Sequence, residues 1–198
     1  MCIRDSINVH HFADLIIDFL KKKNNFGIKI SISDERLMLL ETGRGLKKAK
    51  RHFKDAPFII YNTDIITNLD IRHLYDVHLK SEAIATLAVR NRTTSRYLLF
   101  DNESYQLKGW TNKKTDEYKW SIPPSGNEIP YAFSGIQVVS PEIFEYMPHK
   151  KVFSTIELYL KAAKDSFIKA YPHDEDIWID AGKPHHLEEA KKILKDVL

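Results

Sequence analysis

Cysteine is almost missing from this chain. The one present, Cys2, can close no disulfide within it, and no zinc-type ligand spacing occurs, so a reducing, cytoplasmic setting is expected. Long apolar runs are also lacking: the longest extend over only a few residues, too short for a bilayer-spanning helix, and no secretory apolar core precedes the first helical pattern. Nor is there a marked excess of one charge. The 30 Lys and Arg are interspersed with 27 Asp and Glu, for a net charge of +3. That forms no continuous basic stripe of the kind nucleic acid requires, and a mild positive field suits small anionic molecules equally well. No internal repeat or low-complexity tract is visible.

What is present describes an ordinary globular protein, with 43% hydrophobic and 29% charged residues in 198, a length that fits one domain. The opening "MCIRDS" resembles the translation of a sequencing-library adapter. Residues 1–6 are therefore read as a non-native scar, and residues 7–198 as a domain that lacks its true start.

From residue 7 the pattern predicts a helix carrying Phe12, Ile16, Phe19 and Leu20 at helical spacing, with lysines at the end the macrodipole favours. "GIKISIS" alternates as a strand and "ETGRGLKKAKRHF" opens a helix after a glycine turn. "PFIIY" reads as a strand spent on the core, "LDIRHLYDVHLKS" as a helix and "AIATLAV" as a strand. This alternation predicts an α/β protein with a single, doubly wound, mostly parallel mixed sheet. "SRYLLFD" and "YQLKGW" suit a hairpin, while residues 111–129 lose periodicity and read as a surface excursion. "YAFSGIQVVS", "FIKAYP" and "IWID" follow as strands, with helices over "STIELYLKAAKD" and from Pro184, the last aligning Leu187, Ala190, Leu194 and Val197.

In open parallel sheets ligands bind beyond the carboxyl ends of the strands. Asp64 and Asp180 each stand at such an end. Two carboxylates on neighbouring strand tips hold a hard cation such as Mg²⁺ through oxygen. Taken singly, an acid after a strand also reads as a turn or helix cap, and Gly43 with Gly45 before a helix also reads as a plain turn.

Taken together and in order, "SISDERLMLLETGRGLKKA", "PFIIYNTDII", "AFSGIQVVSP" and "WIDAGKPHHLEEA" resemble the sugar-1-phosphate nucleotidyltransferases, over about residues 7–198. The likeness is to the branch containing N-acetylmuramate-1-phosphate uridylyltransferase, and it implies the Rossmann-like nucleotide-diphospho-sugar transferase fold. It implies a reaction between a nucleoside triphosphate and a sugar 1-phosphate that yields a nucleotide sugar, for cell-wall or surface polysaccharide, and pyrophosphate. By the same resemblance, Asp64 and Asp180 hold Mg²⁺, Thr42 and Gly43 lie against the base, and Asn62 sits near the ribose or phosphates. Gly135 lets the backbone approach the sugar, and Glu157 meets a sugar hydroxyl. The family's first strand, its glycine-rich arginine loop and a following lysine have no counterpart in this sequence, so little or no catalysis is expected from this stretch by itself. A noncatalytic nucleotide-sugar-binding or regulatory subunit of the same fold is the alternative reading. Arg44, Thr63 and Ser154 depart from the family pattern at positions that bear on base and sugar choice.

Overall fold

The computed structural model describes residues 4–36, 42–53, 55–150, 152–182, 186–188 and 190–192. The chain divides into two compact units, Met1–Lys54 with Met147–Leu158, and Asp55–Tyr146 with Tyr159–Leu198.

In the first unit, strand β1 (Arg4–Val9) and strand β2 (Lys29–Asp34) pair in parallel from Arg4 opposite Lys29 to Val9 opposite Asp34. Helix α1 (Ala13–Lys22) connects them, and helix α2 (Thr42–Ala49) follows β2. The helix expected from residue 7 therefore starts six residues later. Ile7 and Val9 are β-branched, and the ladder with β2 continues past its end through Glu35 N–H to Val9 O at 2.8 Å, so tertiary pairing overrides the helical spacing. Arg4, Asp5 and Ser6, set apart in the sequence, lie within β1. Along α1 only Ala13 and Leu20 are buried, and Phe12, Ile16 and Phe19 are exposed rather than packed.

The second unit is built on a seven-stranded sheet. Its strands are β3 (Phe58–Tyr61), β5 (Ala85–Arg90), β6 (Arg96–Asp101), β7 (Leu107–Asn112), β8 (Glu117–Trp120), β9 (Glu128–Val139) and β10 (Ile168–Pro172). A separate antiparallel pair joins β4 (Ile65–Thr67) to β11 (Trp178–Asp180). The α/β architecture and mixed sheet are as expected, with the described strands divided among three sheets. β10 runs parallel to β5, while β3 and β5 both pair antiparallel with β9. Thus β3, β5, β6 and β10 share one direction, and β9 and β7 run against them. β9 can serve two sets of neighbours because its register against β5 shifts between Leu87 and Val89, and its first half pairs with β6. The predicted β6–β7 hairpin is present. The excursion after it contains β8, an exposed edge strand, where loss of periodicity in the sequence hid a strand covered on neither face.

One core cluster of this unit packs Ala88 of β5 against Ile136 and Val138 of β9 and Leu74 of helix α3 (Ile71–Leu79), while Leu87 and Val89, on either side of Ala88 in β5, are also fully buried. Asp70 caps α3, its carboxylate accepting the His73 N–H at 2.9 Å. β3 is not wholly spent on the core: Phe58 is buried, but Ile59 and Tyr61 point to the opposite face and are exposed. Helix α4 (Thr155–Ala162) carries the boundary between the two units. Residues 186–188 and 190–192 are helical, whereas Pro184, Leu194 and Val197, on which the expected last helix also rested, lie outside the described residues. Among the described residues no helix is long and apolar enough to cross a membrane.

One buried group ties this core to pH. The ring nitrogens of His78 lie 2.9 Å from the hydroxyls of Thr86 and Ser140, and burial pushes its pKa from 6.5 down to about 4, against the pull of Glu142. Between those values the unfolded chain binds a proton at His78 that the folded one does not, so the stability this group contributes is lost as pH drops from about 6.5 to about 4, and its contribution changes no further below that. The loss expected from this group is roughly 3 kcal/mol. Urea midpoints measured across that window should show the slope, and His78→Gln should flatten it.

Candidate active site

The strands that share a direction end on one edge of their sheet, and the candidate acids are built there. β3 stops at Tyr61 because Asn62 N–H turns to donate to Gly135 O at 2.9 Å, and Ile65 N–H closes back on Asn62 O at 3.0 Å. This tight turn exposes Asp64 at its tip. The chain then enters β4, whose partner β11 sets Asp180 directly opposite Ile65, and Ala181 N–H donates to Asp64 O at 2.7 Å. Two acids separated by more than a hundred positions thereby become neighbours on one two-stranded ladder.

Their side chains converge. A Cβ placed on Gly182 would lie 2.9 Å from Asp64 Oδ2 and 3.1 Å from Asp180 Oδ1, so both carboxylates face one small volume that the glycine leaves open. Gly182 N–H donates to Asp180 Oδ1 at 3.2 Å, and the His186 ring lies 2.8 Å from the Asp180 backbone oxygen, fixing the end of β11. Paired carboxylate oxygens around such a volume fit a hard divalent cation that completes its shell with water and phosphate oxygens. Among the described residues no cluster of three or more His, Cys, Asp or Glu side chains forms, so this donor set consists of two acids. Gly182 was passed over in the sequence; its only signal there is its place two residues beyond the strand-end acid.

Gly135 and Asn62 form the flank of this turn. Gly135 sits where β9 shifts register, with φ of +80°, and a Cβ there would lie 2.9 Å from Asn62 Nδ2 and 3.2 Å from Asn62 Cβ. The close approach that requires glycine here is to Asn62.

The remaining candidates, Thr42, Gly43 and Glu157, belong to the other unit. Thr42 Oγ1 accepts the Thr155 N–H at 3.2 Å at the start of α4, and Gly43 N–H donates to Phe153 O at 3.1 Å. Ser154 Oγ accepts the Glu157 N–H at 3.2 Å in the manner of an N-cap, and the Glu157 carboxylate pairs with Lys150. Each of these residue types thus has a local structural reason. A Cβ on Gly43 would fall 2.4 Å from Phe153 Cδ2 and 2.8 Å from Phe153 O. Because a backbone oxygen cannot swing away, Gly43→Ala is expected to destabilise by about 1–3 kcal/mol despite alanine's better helix propensity, read as a lowered urea midpoint.

No model of a known protein family matches the chain. It is 26% identical over 186 residues to an N-acetylmuramate alpha-1-phosphate uridylyltransferase of Caulobacter vibrioides, covering 90% of this chain and 72% of that protein. It is 27% identical over 182 residues to a mannose-1-phosphate guanyltransferase of Yarrowia lipolytica, covering 89% of this chain but 47% of that longer protein. Its backbone matches the crystal structure of HddC from Yersinia pseudotuberculosis with a TM-score of 0.72 at 21% identity, covering 96% of this chain and 78% of that one. In sequence the chain is similar to proteins named as sugar-1-phosphate nucleotidyltransferases, and in backbone it carries the fold of the HddC structure.

Proposed function

We propose that the full-length protein transfers a nucleotidyl group from a nucleoside triphosphate to a sugar 1-phosphate, with Asp64 and Asp180 as the acids that hold Mg²⁺ at the reacting phosphates, and that this stretch by itself turns over little or not at all. In this reaction an oxygen of the sugar phosphate forms a bond to the α-phosphorus, the bond from that phosphorus to the bridging oxygen breaks, and pyrophosphate leaves with the electron pair. The observation that carries the reading is the convergence of Asp64 Oδ2 and Asp180 Oδ1 on the volume left open by Gly182. A divalent cation held there supplies positive charge to the phosphate oxygens as they approach. The two carboxylates fix its position on rigid strand ends, and the Asn62 turn, braced on Gly135, keeps Asp64 at the tip. The base-facing role of Thr42 and Gly43 and the sugar-facing roles of Gly135 and Glu157 rest on the resemblance of their motifs.

The test is pyrophosphate release by the chain joined to the family's first strand, arginine loop and lysine, measured with UTP, dTTP, GTP and CTP against a panel of sugar 1-phosphates, since the named relatives differ in both base and sugar. One triphosphate and one sugar phosphate giving metal-dependent release supports the reading. Tight nucleotide-sugar binding without any release, in a protein that binds Mn²⁺, would favour a noncatalytic binding subunit instead. Absence of Mn²⁺ binding by electron paramagnetic resonance would remove the assigned roles of both acids.

A further inference from the structure

Arg92 follows β5 on the edge that carries the carboxylate pair, and the reaction as described gives it no task. Its guanidinium carbon lies 4.6 Å from the centroid of the Trp178 ring, and Nη2 donates to Phe133 O at 3.2 Å. Trp178 is anchored in turn by its indole N–H to Ser134 O at 2.9 Å, and stands two residues before Asp180, on the same side of β11. Arg92 Nε is buried without a hydrogen-bond partner, and Arg92 forms no ion pair among the described residues. Nearby Arg90 is, by contrast, occupied on both arms by the backbone oxygens of Asp174 and Asp176.

A half-buried cation without a carboxylate at contact distance is costly, because the desolvation of its charge is unrepaid. Burial lowers the pKa of Arg92, and the charge of Asp180 opposes that loss from a distance. A planar fork stacked on an indole, with Nη1 unbonded among the described residues and not enclosed as Nε is, and with the charge of Asp180 within reach, is arranged to meet a phosphate group that arrives with substrate. We infer that Arg92 is an anion-recognition residue for a phosphate group of the reaction, held in readiness by Trp178 and the Phe133 carbonyl. This inference rests on the reading of the carboxylate pair given above. The group it meets belongs either to the sugar 1-phosphate or to the triphosphate.

Calorimetric titration of the 198-residue chain and of Arg92→Met and Arg92→Lys, with glucose 1-phosphate and separately with UTP, each with Mg²⁺ present, tests it. Arg92→Met should weaken one probe by roughly tenfold or more and leave the other within about threefold, and the arm that weakens identifies the source. Arg92→Lys should recover only part of the loss, because an ammonium has neither the fork nor the stacking plane. Melting temperatures of both variants near that of the parent separate lost recognition from a loosened β9–β11 contact. If Arg92→Met, or Arg92→Lys should Arg92→Met not fold, binds both probes as the parent does, the inference is overturned and the carboxylate site stands. If the parent binds neither probe, the inference and the site reading fall together.

Discussion

In the chain joined to the family's first strand, arginine loop and lysine, Asp180→Asn and Asp64→Asn should each lower metal-dependent pyrophosphate release by about a thousandfold or more, equivalent to roughly 4 kcal/mol of barrier. The substitution is nearly isosteric, and the structure indicates that it removes charge without removing architecture. Asp180 Oδ1 accepts from Gly182 N–H, a role the asparagine oxygen can keep, and what Asp64 gives to Ala181 is its backbone oxygen. Thermal melting gives a second readout that requires no turnover. Two carboxylates facing one volume repel each other when no cation is bound, so each variant should melt no lower than the parent in EDTA. Millimolar Mg²⁺ should then raise the melting temperature of the parent more than that of either variant, since a ligand that binds only the folded state stabilises it. Near-parental release by both variants would exclude the assigned roles. An equal Mg²⁺ response in all three proteins would show that the cation binds elsewhere.

Gly182→Ala should separate site from fold even more sharply. The backbone of Gly182 lies outside the left-handed region, so alanine meets no conformational penalty there. The atoms its Cβ would crowd, Asp64 Oδ2 at 2.9 Å and Asp180 Oδ1 at 3.1 Å, are the ends of short polar side chains that can rotate aside. The fold should therefore keep its melting temperature within a few degrees. The carboxylates, however, can relieve the crowding only by moving apart, and their convergence is what a shared cation needs. Displacement of about 1 Å at a reacting centre can cost about a hundredfold in rate, and a loss of about 10- to 100-fold in Mn²⁺ affinity should accompany it. An alanine variant with unchanged Mn²⁺ affinity would mean that the open volume at Gly182 is not where the cation sits.

These expectations differ in how far the linear chain reveals them. The strand-end acids were legible because both stand where an apolar run stops, and four ordered motifs tied them to one family. Ordered apolar segments and turn residues also set the succession of β3, α3, β5, β9 and β10, since local burial and backbone preference act over a few neighbouring positions. The sequence by itself thus determined the α/β class and the family likeness, and it singled out the two acids on which the proposal rests.

Only tertiary structure decided which residues face each other. Residues 7–9 became strand because β2 offers them a ladder, and Ile59 and Tyr61 of β3 point away from the core because only one side of that strand is covered. The need for glycine at 135 and 182 arises from Asn62 and from the Asp64–Asp180 pair, and Arg92 acquires its indole partner from β11, 86 positions later. Contacts of this kind depend on strand pairing and register between distant segments, and no local pattern of residue types encodes them.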